Sequence, residues 1–87
     1  MIDSLVPIVE RAIRDHPELQ DPSFAHYLAR CRYRGWTDVD TTRAINRILR
    51  DVNPDSAEPI QVSYSWTNKW RKRLVREQPK YYVTPPL

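Results

Sequence analysis

The most basic stretch of this 87-residue chain places its cations at helical spacing. When the stretch is projected as a helix, at about 100° per residue, one side carries Lys69, Lys72, Arg73 and Arg76 beside Ser65, with no acidic residue among them. Like charges on one ridge repel each other by about 0.2–0.5 kcal/mol per adjacent pair, and a bound polyanion offsets that repulsion. The spacing predicts a phosphate-binding surface; an ordinary solvated face is the alternative interpretation.

The other side of the same helix is apolar and aromatic. It carries, in a narrow stripe, Trp66, Trp70 and Leu74. Such a stripe is typical of a helix that packs against a core. Ser63 and Ser65 are both suitable N-cap residues, so we expect the helix to begin at one of them and to run to about Gln78, before Pro79.

The segment Val62–Arg76, fifteen residues long, resembles the recognition helix of helix-turn-helix DNA-binding domains. It reads V-S-Y-S-W-T-N-K-W-R-K-R over Val62–Arg73. Transposases, phage terminase small subunits and regulators carry the similar pattern V-S-x-S-T-V-x-x-W-x-K-R. The resemblance implies that Val62 anchors the turn, that Ser63 caps the helix and that Trp70 fills the core. It also implies that the start of the helix enters the major groove of DNA.

Carried over position by position, the resemblance implies a set of DNA-facing side chains: Ser63, Tyr64, Ser65, Asn68, Lys69 and Lys72. Asn68 and Lys69 would contact base edges, because amides suit adenine and ammonium groups suit guanine. The resemblance assigns to backbone phosphates Arg71, Arg73 and Arg76.

The chain departs from the family pattern in two places. Trp66-Thr67 stands where a small residue followed by Val or Ile is usual. Pro54 and Pro59 occupy the stretch in which the preceding helix and a short turn should lie. Either the turn between the two helices is long, or the proline-containing loop is an insertion.

Three further helices are expected upstream. The first runs from about Asp3 to Asp15, with Pro7 in its first turn, and stops at His16 because Pro17 follows. The second should have Asp21 as its N-cap, and its core face would comprise Phe24, Tyr27, Leu28 and Cys31. Gly35 offers a left-handed stop.

The third helix is expected to open after Thr37 or Asp40 and to end near Val52. Its apolar stripe comprises Ala44, Ile45, Ile48, Leu49 and Val52, and outside that stripe lie Arg43, Asn46, Arg47 and Arg50. Residues 53–59 read as a loop. Ile60–Val62 is either a short strand or the beginning of the last helix; as a strand paired with Tyr81–Val83 it would form a winged variant. The sequence therefore predicts an all-α bundle of about four helices, helix-turn-helix-like, with or without a short β-hairpin wing.

Length and charge indicate a single helical domain over residues 1–87, with an extended tail at 79–87. Residues 1–29 carry two arginines against five acidic residues, whereas residues 59–87 carry six cations against one. The acidic first helix has an apolar stripe and is the expected site of self-association, as a homodimer or in a larger assembly. The arginines at the end of helix two, Arg30, Arg32 and Arg34, are either a second phosphate-contact region or a solvated helix end.

Composition excludes several classes of protein. The single cysteine, Cys31, excludes an internal disulfide and a cysteine zinc cluster, and the single glycine excludes glycine-rich phosphate loops. Two scattered histidines do not make a metal site. We therefore expect no enzyme activity, no cofactor and no metal. Without a long apolar run or a signal-peptide pattern, the chain is expected in the cytoplasm.

The function favoured by these features is a small helix-turn-helix-like DNA-binding protein, a regulator or accessory protein of a phage or mobile element. Duplex DNA is the expected partner, and no membrane is involved. Two alternatives remain open. An acidic head and a basic tail also suit a protein-interaction module that regulates a larger complex. The cationic ridge by itself does not distinguish DNA from RNA.

Overall fold

The computed structural model describes residues 4–19, 21–58 and 60–77 and contains four helices over these ranges. They are α1 (Leu5–Asp15), α2 (Phe24–Tyr33), α3 (Asp38–Val52) and α4 (Tyr64–Glu77). Helix α3 packs against both α1 and α4, and α1 also packs against α2. The predicted all-α bundle is confirmed.

The β-hairpin wing is not shown. Residues 60–62 are irregular, and the described residues contain no strand. The second predicted wing strand, Tyr81–Val83, and the predicted tail at 79–87 lie outside the described residues.

The first and third helices begin and end where the sequence predicts. Ser4 occupies the N-cap position of α1, and His16 is extended (φ −75°, ψ 122°), because the residue before a proline avoids the helical region. At α3 the Thr37 hydroxyl accepts the Asp40 backbone N–H at 3.1 Å, and the Asp40 carboxylate accepts the Thr37 N–H at 3.1 Å. This capping box decides between the two predicted starts in favour of Thr37.

The N-cap predicted for α2 is wrong. Ser23 caps the helix instead of Asp21, and its hydroxyl accepts the His26 N–H at 3.2 Å. Asp21 accepts a hydrogen bond from Arg30 at 2.6 Å. At the other end Gly35 has φ 78°, as predicted, and it completes a Schellman turn in which the Gly35 N–H donates to the Arg32 carbonyl at 2.9 Å.

The core forms where α1, α2 and α3 meet, and α4 closes one side of it. Its buried residues are Val9, Ala12, Ile13, Phe24, Ala25, Tyr27, Leu28, Cys31, Ile45, Ile48, Leu49, Val62 and Leu74. The apolar face predicted for α2 is confirmed in full. Cys31 is 4% exposed, and burial raises the pKa of its thiol, as is usual for a small cysteine side chain in a core.

The two tryptophans of α4 are half-buried and pack against this core. The Trp66 and Phe24 ring centroids lie 5.3 Å apart, which joins α4 to α2, and those of Trp66 and Trp70 lie 6.4 Å apart. The apolar side predicted for α4 therefore faces the core. Over the described ranges no helix combines the length and the apolar character needed to cross a bilayer.

Candidate nucleic-acid interface

The start of α4 is fixed by an amide on α3. The Asn46 side chain accepts the Val62 backbone N–H at 2.8 Å and donates to the Val62 carbonyl at 3.1 Å. Both backbone groups of the buried Val62 are thus satisfied without a strand partner. The helical projection places Asn46 outside the apolar stripe and does not reveal this role, because nothing in a projection marks a side chain that bonds a distant backbone.

Two buried threonines join α3 to α4. Thr67 is fully buried, at 0% exposure, and its hydroxyl oxygen lies 2.7 Å from that of Thr42. Thr42 Oγ1 also lies 2.7 Å from the Asp38 carbonyl oxygen, so the pair has a further acceptor for its hydrogens. Thr67 stands where the family pattern has Val or Ile. It has the same shape as Val, and its hydroxyl is paired rather than left unsatisfied.

Asp38, at the first turn of α3, holds two side chains of α4. Its carboxylate accepts Arg71 Nε at 2.6 Å, Arg71 Nη2 at 3.0 Å and Asn68 Nδ2 at 2.7 Å. We call these three residues the Asp38 cluster. The Arg71 hydrogen bond is the main reason that the pKa of the Asp38 carboxyl lies below its ordinary value; Asn68 adds to this and burial opposes it. The cluster fixes the rotation of α4 about its own axis.

The cluster changes what α4 can offer to a ligand. Asn68 was the predicted adenine-reading residue and Arg71 a predicted phosphate contact. Both side chains are bonded to Asp38, whose own side chain is 10% exposed. The remaining predicted DNA-facing residues are all exposed: Ser63, Tyr64, Ser65, Lys69, Lys72, Arg73 and Arg76.

Five of these form one surface, which we call the α4 cationic face: Ser65, Lys69, Lys72, Arg73 and Arg76. The prediction that no acid accompanies these cations is wrong at one point, because Arg73 Nε lies 2.8 Å from Glu77 Oε1, four residues along the helix. Both side chains are about half exposed, and exposed ion pairs contribute little to the free energy of unfolding. For Lys69, Lys72 and Arg76 the described residues provide no ion-pair partner.

Trp70 supports the cationic face from below. The Arg73 guanidinium carbon lies 4.8 Å from the centroid of the Trp70 ring, and Lys69 Nζ lies 5.7 Å from it. The negative face of an aromatic ring attracts cations at these distances. The half-buried Trp70 ring therefore attracts two cations of the α4 cationic face.

Ser63 has a structural role at the start of α4. The Trp66 N–H donates to Ser63 Oγ at 3.1 Å, so Ser63, rather than Ser65, caps α4 as the resemblance implies.

Of the three arginines around the end of α2, Arg30 is bonded to Asp21 and Arg34 lies over the Trp36 ring at 5.9 Å. Arg32 has no such contact with any residue that the structure describes.

The connection between α3 and α4 spans residues 53–63, a length that fits both a long turn and a loop inserted into a helix-turn-helix, so both interpretations stay predictions. The predicted self-association through α1 stays a prediction, and Val9, Ala12 and Ile13, which suggested it, face this chain's own core. Among the described residues no group of three or more His, Cys, Asp or Glu side chains is arranged to hold a metal ion.

No protein-family model, curated protein or solved structure matches this chain.

Proposed function

We propose that this chain binds nucleic acid through the α4 cationic face, with duplex DNA as the ligand. One observation carries the proposal: Lys69, Lys72 and Arg76 are exposed on a single helix face and have no carboxylate partner among the described residues. A solvated helix face ordinarily mixes both signs of charge. Unpaired cations in a row suit a ligand that brings its own row of anions.

The dimensions of the face suit a groove. From Ser65 to Arg76 the helix rises about 16 Å, and a helix of ordinary diameter fits the major groove of B-form DNA. The apolar side of α4 is turned to the core, so the cationic face is the side that is left for a ligand.

The contact between Asn68 and Asp38 favours binding of DNA phosphates over recognition of bases. Asn68 is bonded to Asp38, so the face lacks the amide that would recognise adenine. Tyr64, Ser65 and Lys69 are the exposed side chains left near the start of the helix for base edges. We therefore expect affinity dominated by phosphates, with weak discrimination between sequences. This property suits an accessory or regulatory DNA-binding protein, the role that the helix-turn-helix resemblance implies.

The test is a matched pair of double variants. Lys69→Gln with Lys72→Gln removes two charges from the cationic face, whereas Arg11→Gln with Arg14→Gln removes two from exposed positions on α1. Binding to a labelled random 30-bp duplex is followed by fluorescence anisotropy at 50 mM salt. We expect at least about 10-fold weaker binding for the α4 variant, because two fewer counterions are released, and less than about 2-fold for the α1 variant.

Charge reversal sharpens the result. Lys69→Glu with Lys72→Glu should abolish duplex binding while the circular dichroism spectrum stays helical. Equal losses in the α4 and α1 variants would mean that net charge, not this face, drives binding. No binding by the unaltered chain at 50 mM salt would overturn the proposal in favour of the protein-interaction alternative. Tighter binding to a 30-bp RNA duplex would replace DNA by RNA as the ligand.

A further inference from the structure

Helix α3 carries a second row of exposed cations. Arg43, Arg47 and Arg50 follow one another at intervals of four and three residues, which places them on one face of the helix. All three side chains are exposed. We call this row the α3 arginine ridge. It lies outside the segment to which the sequence assigns DNA contacts.

The acids that could neutralise this ridge are engaged elsewhere. Asp40 precedes Arg43 by three residues, and Asp51 follows Arg47 by four, so both have the spacing of helical ion pairs. Asp40 instead accepts the Thr37 N–H in the capping box, and Asp51 Oδ2 lies 3.3 Å from His16 Nε2. Within the described residues the three arginines have no ion-pair partner.

The position of the ridge relates it to α4. Asp38, Thr42 and Asn46 form the stripe of α3 that contacts α4 or the segment leading into it. In projection this stripe lies between the core stripe of α3 and the arginine ridge. The ridge therefore borders the junction of the two helices on the solvent side.

We propose that the α3 arginine ridge binds backbone phosphates of the same duplex that the α4 cationic face binds. This inference rests on the proposed function. From Arg43 to Arg50 the helix rises about 10.5 Å, over which one DNA strand carries about three phosphates. The guanidinium fork matches phosphate oxygens two at a time, which suits arginine to this contact. The flanking position of α3 lets it meet the backbone beside the groove that α4 occupies.

The test adds one double variant to the matched set. Arg43→Gln with Arg47→Gln removes the same number of charges as Lys69→Gln with Lys72→Gln and as Arg11→Gln with Arg14→Gln. For each variant the logarithm of the duplex association constant is measured against the logarithm of the salt concentration. We expect the ridge variant to reduce the slope by about 2 and to weaken binding at 50 mM salt at least about 10-fold, as for the α4 variant. Its Tm should not fall, because the change relieves like-charge repulsion.

Each outcome decides between the two proposals. A ridge variant that behaves like the α1 control, while the α4 variant weakens, would overturn the ridge and leave the function of α4 standing. Weakening by the ridge variant alone would support the ridge as a phosphate contact and overturn α4 as the interface. No duplex binding by the unaltered chain would overturn both.

Discussion

The two halves of the molecule use their charges differently. Helices α1 and α2 contain four arginines, of which Arg11 pairs with Asp15 at 3.6 Å, Arg30 pairs with Asp21 at 2.6 Å and Arg14 donates to the Pro22 carbonyl at 3.0 Å. Helices α3 and α4 contain eight cations, of which two, Arg71 and Arg73, have an acid partner among the described residues. Three of the four arginines in the first half therefore have an acid or carbonyl partner, whereas six of the eight cations in the second half have no acid partner among the described residues.

The acids of the second half explain this difference. Asp38 holds α4 against α3, Asp40 caps α3, and Asp51 contacts His16. Each of these three carboxylates is bonded at a contact that stabilises the fold, whereas Glu77 pairs with the exposed Arg73. This distribution of charge is the one that the proposed nucleic-acid interface requires.

The largest expected effect on stability comes from removing the acid that joins the two basic helices. Asp38→Ala leaves Arg71 and Asn68 without their acceptor, so we expect the free energy of unfolding to fall by about 2 kcal/mol. That corresponds to a decrease of roughly 8–16 °C in Tm for a domain of this size. Thermal unfolding followed by circular dichroism measures it.

Glu58→Ala serves as the control for that variant, because Glu58 is an exposed acid in the loop between α3 and α4. Its Tm should stay within about 2 °C of the unaltered chain, since surface substitutions away from specific contacts change stability little. Equal Tm values for the two variants would contradict the role assigned to the Asp38 cluster.

Breaking a pair in the first half should affect stability without affecting binding. Asp21→Ala removes the partner of Arg30, whose side chain is 36% exposed, and we expect a loss of about 1 kcal/mol. Duplex affinity, measured by anisotropy at a temperature where the variant remains folded, should change less than about 2-fold, although the net charge becomes more positive. A clear gain in affinity would show that net charge alone governs binding, and the contrast between the halves would then be lost.

The sequence predicts the helices better than it predicts the contacts between them. Apolar periodicity and the punctuation by Pro17, Thr37 and Gly35 place the four helices nearly as the structure has them. These signals depend on residues that are close together in the chain, so they can be recognised in the sequence. The wrong N-cap at Asp21 has a tertiary cause, because its carboxylate is bonded to Arg30, nine residues along the chain.

The candidate site shows the same limit. Exposure of Lys69, Lys72 and Arg76 follows from the helical projection. The bonds of Asn68 and Arg71 to Asp38 do not follow from it, since Asp38 lies 30 and 33 positions before them in the chain. A polar side chain beside a helix interface is not distinguished by periodicity from one that faces solvent.

Acid should remove the contribution of the Asp38 cluster to the free energy of unfolding. The hydrogen bond from Arg71 lowers the pKa of Asp38 in the folded chain, so this carboxylate stabilises the fold above its unfolded pKa, near 3.9. The contribution is lost as the pH falls through the lower, folded pKa. Urea unfolding between about pH 5 and pH 2 should therefore show a steeper loss of stability for the unaltered chain than for Asp38→Asn. Parallel curves would contradict this account of the cluster.

The smallest expected effect on stability comes from a charge reversal on the α4 cationic face. Lys69→Glu places an acid four residues before Arg73 and three before Lys72, but it also removes the Lys69 contact with the Trp70 ring, so we expect the free energy of unfolding to change by less than about 0.5 kcal/mol. The same change should weaken duplex binding more than Lys69→Gln does. Higher stability with unchanged affinity would identify the α4 cationic face as an ordinary solvated face.

The salt dependence of duplex binding by the unaltered chain tests the central claim most directly. A random 30-bp duplex is titrated at several salt concentrations between 50 and 200 mM. Six unpaired cations, three on each helix, predict a slope of about −5 in the double-logarithmic plot, and an affinity loss of about three orders of magnitude across the range. A slope near zero, or no binding at 50 mM salt, would contradict the claim that the unpaired cations of α3 and α4 form a nucleic-acid interface.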